Sequence, residues 1–198
     1  MGSAENGALT PESAIPGSSR RVWWRCEAGH SWFASISSRA YRNSGCPICA
    51  GKQVLQGFND LASKNPAIAM QWDAKKNGTL TPQDVTIGSN RIVWWRCAKG
   101  HSFQAAVATR TMQASNCPYC TNRKVLAGFN DLATVEPRIA AEWHPTLNGT
   151  LTPEMVTPGS AKRVWWECAY GHVWKAAIYS RTGKKKCGCP VCAGKARK

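Results

Sequence analysis

Residues 22–30, Val-Trp-Trp-Arg-Cys-Glu-Ala-Gly-His, decide the fold of this chain because their pattern occurs three times. Val-Trp-Trp-Arg-Cys returns at residues 93–97 and Val-Trp-Trp-Glu-Cys at residues 164–168, so each copy begins 71 positions after the one before it. Self-similarity at a fixed period is typical of repeat architectures. The sequence therefore predicts a tandem array of three similar units.

The segments around this stretch repeat as well. Leu-Thr-Pro-Glu at residues 9–12 returns as Leu-Thr-Pro-Gln at 80–83 and as Leu-Thr-Pro-Glu at 151–154. Two longer segments also match each other closely: connector 1 (residues 57–72, GFNDLASKNPAIAMQW) and connector 2 (residues 128–143, GFNDLATVEPRIAAEW). Because they keep their place in the repeat, the connectors are predicted to be parts of the folded units and not loose linkers.

Each unit carries a Cys-x3-His pair followed by a Cys-Pro-x-Cys pair. Structural zinc takes four tetrahedral ligands, mostly cysteine thiolate and histidine nitrogen. The gap from the histidine to the next ligand is 16, 16 and 17 positions in the three units. The candidate ligand sets are Cys26, His30, Cys46 and Cys49; Cys97, His101, Cys117 and Cys120; and Cys168, His172, Cys189 and Cys192. Three sets in register predict three Zn2+ per chain.

Two alternatives bear on these cysteines. A Cys-x2-Cys pair can be a redox dithiol, but the accompanying cysteine and histidine favour metal, and four protein ligands leave no open position for catalysis. In the third unit Cys187 could replace Cys189 as a ligand. The Cys-Pro-x-Cys register of the other units favours Cys189.

Local signals predict a β-hairpin and short helices in each unit. Apolar and polar residues alternate along residues 30–37, as in a half-buried strand, and residues 27–29 form the turn. Asn65 before Pro66 is typical of a helix start, as are Thr81-Pro82 and Thr152-Pro153. The predicted fold class is small zinc-stabilised α+β, with three zinc-ribbon or treble-clef-like modules, each a metal-bound β-hairpin plus short helices.

The organisation follows from the repeat. We predict a disordered N-terminus or tag at residues 1–6, zinc module 1 at 7–56, connector and zinc module 2 at 57–127, connector and zinc module 3 at 128–195, and a basic tail at 196–198. No signal peptide or membrane span is evident, and thiols used for metal favour a reducing compartment. The expected localisation is cytoplasmic.

The charge favours a polyanionic partner. The formal net charge is +15, and three zinc sites would lower it to about +12. Basic residues gather near the hairpins, and one arginine is predicted to end the second strand of every unit. The candidate nucleic-acid contacts are Arg21, Arg25, Arg39, Arg96, Arg110, Arg163, Arg181 and Lys185. The alternatives are a solvated basic surface and, for Arg39, Arg110 and Arg181, capping of main-chain carbonyls.

The run from Gly149 through VWWECAYGHVWKA to residues 189–192, with GFNDLAT and AAEWHP before it, resembles the bacterial and phage family known as the probable zinc-ribbon domain. The likeness covers nearly the whole chain and implies treble-clef-like zinc modules with the twelve ligands named above. Members stand in tandem and beside nuclease-like domains, which implies association with nucleic acid. This chain departs from the pattern at Phe103, where tryptophan is expected, at Glu167, where arginine is expected, and in Cys-Gly-Cys-Pro at residues 187–190.

The function expected is non-enzymatic binding of DNA or RNA, mainly through phosphates, as a targeting part of a larger nuclease-associated protein. The rival is a protein-interaction scaffold in which tryptophans and connectors form a docking surface. An enzyme is disfavoured because no carboxylate pair, Ser-His-Asp set or phosphate loop recurs with the metal motifs. Neither a small-molecule substrate nor a membrane partner is expected.

Overall fold

The computed structural model describes residues 5–184 and 186–195 and confirms the three tandem modules. In chain order the elements are β1 (Arg21–Arg25), β2 (Ser31–Ser35), α1 (Ile36–Ala40), α2 (Leu61–Lys64), α3 (Pro66–Ala69), α4 (Ala74–Asn77), a 3-10 turn (Pro82–Asp84), β3 (Ile92–Arg96), β4 (Ser102–Ala106), α5 (Val107–Thr111), α6 (Leu132–Val135), α7 (Pro137–Ala140), a 3-10 turn (Pro153–Met155), β5 (Arg163–Glu167), β6 (Val173–Ala177) and α8 (Ile178–Thr182). Each module is a hairpin with short helices around it.

Each hairpin is antiparallel and closed by the predicted glycine turn. In module 1, Trp24 lies opposite Trp32 on β1 and β2. The amide of Cys26 donates to the carbonyl of His30 at 3.1 Å. Gly29 has φ of +83°, a backbone conformation that residues with a Cβ atom rarely adopt. The turn therefore brings the first two predicted ligands of the module to the end of the hairpin.

The second strand is shorter than its alternating pattern predicts. β2 ends at Ser35, and the helix α1 begins at Ile36. The Ser35 side chain accepts a hydrogen bond from the amide of Ser38 and caps this helix. Arg39 therefore lies in the last turn of a helix and does not end a strand. Short apolar runs fit both periods, so alternation alone could not place this boundary.

Connector 1 folds against the hairpin that follows it. The predicted helix start at Asn65 is confirmed, since its side chain caps α3. Trp72 lies beyond this helix and forms an isolated β-bridge with Trp95. The amide of Arg96 donates to the carbonyl of Gln71 at 2.6 Å. The connector is thus joined to the outer edge of β3 by a β-bridge and a main-chain hydrogen bond.

Contacts divide the described residues into two compact units, one ending at Ser115 and the other beginning at Asn116. In the second unit, connector 2 and the β5–β6 hairpin share one core. Its buried members are Leu132, Val156, Val164, Trp166, Trp174, Ile178 and Cys189. Within the described residues, no helix has the length and apolar character required to cross a membrane.

Candidate metal centres

The structure brings the twelve predicted ligands together in three tetrads. In each tetrad the ligand atoms all lie within 4.8 Å of one another. The tetrads are Cys26, His30, Cys46 and Cys49; Cys97, His101, Cys117 and Cys120; and Cys168, His172, Cys189 and Cys192. In each one the first cysteine and the histidine come from a hairpin turn, and the other two cysteines come from the Cys-Pro-x-Cys knuckle.

The distances in the first tetrad fit a tetrahedral zinc site. Thiolates at about 2.3 Å and an imidazole nitrogen at about 2.0 Å from Zn2+ would stand about 3.5 to 3.8 Å from one another. The sulfurs of Cys26 and Cys49 are 3.8 Å apart. His30 Nδ1 lies 3.5 Å from Cys26 Sγ, 3.2 Å from Cys49 Sγ and 3.8 Å from Cys46 Sγ. The donor set therefore fits zinc, with Nδ1 as the histidine ligand atom.

The third tetrad has the same geometry and uses Cys189. His172 Nδ1 lies 3.4 Å from Cys168 Sγ, 3.7 Å from Cys189 Sγ and 3.3 Å from Cys192 Sγ. Cys187 is exposed and lies outside the tetrad. The preference for Cys189, drawn from the register of the other units, is confirmed.

The thiols of a tetrad titrate differently before zinc binds. Desolvation, with the neighbouring Cys46 and Cys26 thiols, raises the pKa of the Cys49 thiol to about 11. Desolvation also acts on Cys26, but hydrogen bonds from main-chain amides, first that of His30, outweigh it and lower the pKa of that thiol. Cys192 and Cys168 show the same pair of shifts. Zinc must therefore displace protons from such thiols, which makes its binding depend on pH.

Connector residues support the tetrad of the preceding module. The ring of Phe58 meets the ring of His30 edge-on, with centroids 4.4 Å apart. The side-chain amide of Asn59 donates to the carbonyl of Ile48, inside the knuckle, at 2.8 Å. Asn130 donates in the same way to the carbonyl of Tyr119 at 2.8 Å. Sequence reasoning missed these supports, although the repeated Gly-Phe-Asn-Asp could have indicated them.

An asparagine clamps the first strand of every hairpin, and this too was missed. Asn6 donates to the carbonyl of Trp23 and accepts from its amide, both at 2.8 Å. Asn77 and Asn148 hold the main chain of the equivalent tryptophans in the same way. The repeated Asn-Gly before Leu-Thr-Pro was the available signal. Asn6 lies within the predicted N-terminal segment 1–6, yet its contacts belong to module 1.

The arginines in the short helices after the hairpins are built into the modules. Arg110 is 2% exposed and Arg181 is 5% exposed. Arg110 donates to the carbonyl of Ser115 and to the side chain of Gln71. Arg181 lies 2.8 Å from Glu142. Both guanidiniums are therefore bonded inside the module, and phosphate contact by them stays a prediction.

Arg39 has the same internal role in module 1. Its guanidinium donates to the carbonyl of Ser44 and lies over the rings of Trp24 and Trp32, at 5.2 and 5.6 Å from their centroids. The phosphate contact predicted for Arg39 is not supported by these surroundings. Carbonyl capping, the alternative considered for these arginines, is observed at Arg39 and Arg110, whereas Arg181 binds the carboxylate of Glu142.

The remaining basic candidates that the structure describes are exposed. They are Arg21, Arg25, Arg96 and Arg163, all on the first strand of a hairpin. Lys185 lies outside the described residues. The exposed candidates that the structure describes therefore lie on one strand of each hairpin.

Comparison with known proteins identifies the family. A search of curated proteins found no match. The family described as Probable Treble clef zinc finger domain matches the chain three times, over residues 3–52, 68–123 and 139–195. These matches agree with the three tetrads, each of three cysteines and one histidine. The chain belongs to the Probable Treble clef zinc finger domain family and carries three Cys3His zinc-binding sites.

Proposed function

We propose that this protein is a non-enzymatic zinc array that binds nucleic acid, DNA or RNA, as the targeting part of a larger nuclease-associated protein. Its net charge of +15 favours a polyanion. Four protein ligands at each metal leave no coordination position for substrate, which favours a structural role for zinc. The observation that carries the proposal is one face of the module 1 hairpin.

That face combines cations with open aromatic rings. Arg21, Trp23 and Arg25 alternate along β1 and share one side of the strand, and Phe33 lies opposite Trp23 on β2. The side chains of Trp23 and Phe33 are 38% and 45% exposed, with ring centroids 5.4 Å apart. The Arg21 guanidinium lies 4.9 Å from the Phe33 centroid. We call these four residues the outer face of module 1.

The outer face of module 1 suits a single strand. Unpaired bases stack on exposed aromatic rings with about 1 to 3 kcal/mol each. Arg25, whose side chain is exposed beside these rings, can then neutralise the backbone phosphate. We therefore expect binding to single-stranded DNA or RNA with little sequence preference, because every base has an aromatic face and phosphates carry no sequence information.

The equivalent faces of the other hairpins are less open. Lys76 Nζ lies 4.2 Å from the ring centroid of Trp94, and Lys175 Nζ lies 5.6 Å from that of Trp165. In β5, Glu167 stands at the position of Arg25. Module 1 should therefore contribute most of the stacking, and module 3 the least phosphate contact.

The proposal is tested by measuring oligonucleotide binding against salt concentration. Trp23→Ala with Phe33→Ala should weaken single-strand binding at least tenfold, because two stacking rings are lost. Arg25→Ala should make the slope of log K against log salt shallower by about 0.7 for single strands. Glu167→Arg should make it steeper by a similar amount.

The matched control is Arg138→Ala, which removes one exposed cation on α7, away from the hairpin faces. It should change the salt slope less than Arg25→Ala does. Equal slopes would mean that net charge alone acts and that the outer face of module 1 is not the site. Absence of any salt-dependent binding by the parent protein would favour the scaffold function instead.

A further inference from the structure

A cleft of about 590 Å³ lies beside the knuckle of the first tetrad, within the compact unit that ends at Ser115. Its walls come from the knuckle, from connector 1 and from the segments on either side of the β3–β4 hairpin. They include Ile48, Phe58, Lys64, Ile87, Gly88 and Met112. Small-molecule and cofactor sites commonly have volumes of about 300 to 1,000 Å³. The cleft is therefore large enough for one ordered ligand group.

A smaller cavity of about 280 Å³ adjoins this cleft, since Gly51, Thr86 and Gly88 line both. Lys52 and Arg91 line the smaller cavity, and both side chains are exposed. Together the two cavities form a groove that is apolar and aromatic at one end and cationic at the other. We call it the knuckle groove.

Hydrogen bonds join the walls of the knuckle groove to one another. The Thr86 hydroxyl donates to the carbonyl of Gly51 at 3.2 Å, and Thr86 also forms a β-bridge with Asp60 of connector 1. The side-chain amide of Asn59 donates to the carbonyl of Ile48 at 2.8 Å. The knuckle, the connector and the segment before β3 are thus held together. A ligand would enter a preformed site and lose little affinity to ordering it.

The charges around the knuckle groove favour an anion. None of Lys52, Lys64 and Arg91 forms an ion pair with another residue in the described part of the chain. Asp84 also lines the cationic end, but its carboxylate accepts from the amide and the hydroxyl of Thr81, at 2.9 and 2.6 Å. Three cations therefore stand against one carboxylate that is already bonded.

The apolar end suits a flat aromatic group. The side chain of Phe58 is 38% exposed and that of Met112 is 66% exposed. Bases stack on exposed aromatic side chains, and thioethers make favourable contacts with aromatic rings. Lys64 Nζ lies 5.2 Å from the Phe58 ring centroid, so a cation stands beside this surface. A base and its phosphate would both find partners in one groove.

The second compact unit keeps the supports of this groove but not its ligand-facing groups. A shift of 71 positions places Phe58 at Phe129 and Asn59 at Asn130. The same shift replaces Lys64 by Val135, Ile87 by Pro158 and Met112 by Gly183. The cation beside the aromatic ring and the thioether are therefore features of the first unit and not requirements of the repeat.

We propose that the knuckle groove binds one unpaired nucleotide of a nucleic-acid strand, with the base between Phe58 and Met112 and the phosphate at Lys52 and Arg91. The inference rests on the proposed binding of nucleic acid and adds a second contact site, built from other residues than the outer face of module 1. A paired base is stacked inside a duplex and cannot enter such a groove. The ligand is therefore a single strand or an unpaired loop.

Photocrosslinking locates the contact on the unaltered chain. The probe is a deoxythymidine strand of about ten nucleotides, comparable with the site size of single-strand-binding folds, with a photoreactive thiothymidine at its centre. After irradiation with the zinc-loaded full chain, tryptic digestion and mass spectrometry should find crosslinks in residues 53–64 and 111–123, which contain Phe58 and Met112.

The same experiment separates this inference from the proposed function. Crosslinks confined to residues 22–25 and 26–39, which contain Trp23 and Phe33, would overturn the knuckle groove and leave the proposed function standing. A parent chain without salt-dependent binding of the strand would remove both. Polyglutamate that prevents the groove crosslinks as well as an unlabelled deoxythymidine strand does would assign the groove to an acidic protein segment instead.

Two exposed methionines give a matched pair of variants. Met112→Glu places a carboxylate in the knuckle groove and should weaken binding of the strand about tenfold or more, because like charges then meet. Met70→Glu changes the net charge equally, at a side chain that is 83% exposed and lines neither cavity, and should weaken binding less. Equal weakening would mean that net charge alone acts and would overturn the groove.

A double variant, Lys64→Val with Met112→Gly, gives the first unit the residues that the second unit carries. Because the second unit folds with these residues, the zinc content should stay at three per chain. Binding of the strand should fall about fivefold or more, since one base contact is lost. Parent-like binding by this variant would overturn the proposal.

Discussion

Modules 1 and 3 have the same metal geometry but different cores. In both, histidine Nδ1 lies between 3.2 and 3.8 Å from the three sulfurs. Trp166 of module 3 is nevertheless fully buried, whereas Trp24 of module 1 is half-buried. The ligand set is therefore sufficient for the hairpin and knuckle, but the connector completes the hydrophobic core.

The contribution of a connector leucine shows the same difference. Around the first tetrad Trp32, Cys46 and Ile48 form a buried cluster, and Val22 and Ile36 of the same module are also buried. The module 3 cluster also includes Leu132, contributed by connector 2. A small core contributes little hydrophobic stabilisation, so a small domain depends more on its metal. We expect module 1 to depend on zinc more than module 3 does.

Zinc removal should have the largest effect and test this difference directly. Structural zinc contributes about 10 to 16 kcal/mol of apparent binding free energy in small zinc peptides. Elemental analysis should find three zinc per chain, and a graded chelator should raise amide hydrogen exchange in β1 and β2 before β5 and β6. Simultaneous exposure of both hairpins, or a zinc content near one, would contradict the expectation.

Loss of a single ligand should come next in size. Cys189→Ser should lower the zinc content from three to two per chain, because the third site then has only three of its four ligands. Cys187→Ser is the control and should keep all three ions, since Cys187 lies outside the tetrad. The reverse result would show that Cys187 is the ligand.

Leu132→Ala should cost about 2 to 5 kcal/mol of unfolding free energy, as a fully buried leucine replaced by alanine leaves a cavity. Denaturant unfolding measures this change. Val135→Ala, in the same helix α6, should be nearly neutral because Val135 is 49% exposed. If both variants lose the same stability, the connector does not complete the module 3 core.

Glu142→Ala should cost about 1 to 3 kcal/mol, since it leaves the buried Arg181 guanidinium without its acceptor. Glu142→Gln should cost less, because Gln71 fills this position in module 2. Thermal unfolding of the two variants checks the order. A Gln variant as unstable as the Ala variant would mean that charge, and not the hydrogen bond, decides the contact.

Asp131→Ala should have the smallest effect, about 0.5 to 2 kcal/mol, because Asp131 caps α6 through the amide of Thr134. Desolvation opposes the charged form, but the hydroxyl and amide of Thr134 and the amide of Gly128 outweigh it and lower the pKa of Asp131. The ionised Asp131 therefore stabilises the fold at any pH above its pKa in the unfolded state, about 3.9. This stabilisation is lost as pH falls through the lower pKa of Asp131 in the folded state.

The pH dependence is measured as the difference in unfolding free energy between parent and Asp131→Ala. The difference should stay constant from neutral pH down to about 4 and shrink below it. Asp131→Asn is the control, since asparagine can still accept from the amide of Thr134 but does not titrate, and the difference between the Asn and Ala variants should not change with pH. A difference that grows as pH falls would contradict the lowered pKa.

Motifs with a strict spacing could be predicted from the sequence. The repeat placed all twelve ligands correctly, and the proline starts of α3 and the 3-10 turns are confirmed. The arginines of α1, α5 and α8 were candidates for phosphate contact, with capping of main-chain carbonyls as the alternative. The capped carbonyls of Ser44 and Ser115 stand five positions from Arg39 and Arg110. The side-chain partners of Arg110 and Arg181 stand 39 positions away and share no local pattern with them.

The sequence by itself determined the number of modules, the identity of the ligands and the place of each turn, because these depend on residues close together in the chain. Only the tertiary structure decided which arginines are buried, which asparagines clamp a strand and which hairpin tryptophans are fully buried. Those properties depend on contacts between segments far apart in the chain. The half-burial of Trp24 against the full burial of Trp95 and Trp166 is such a case, since all three stand in nearly identical pentapeptides and differ only in what packs over them.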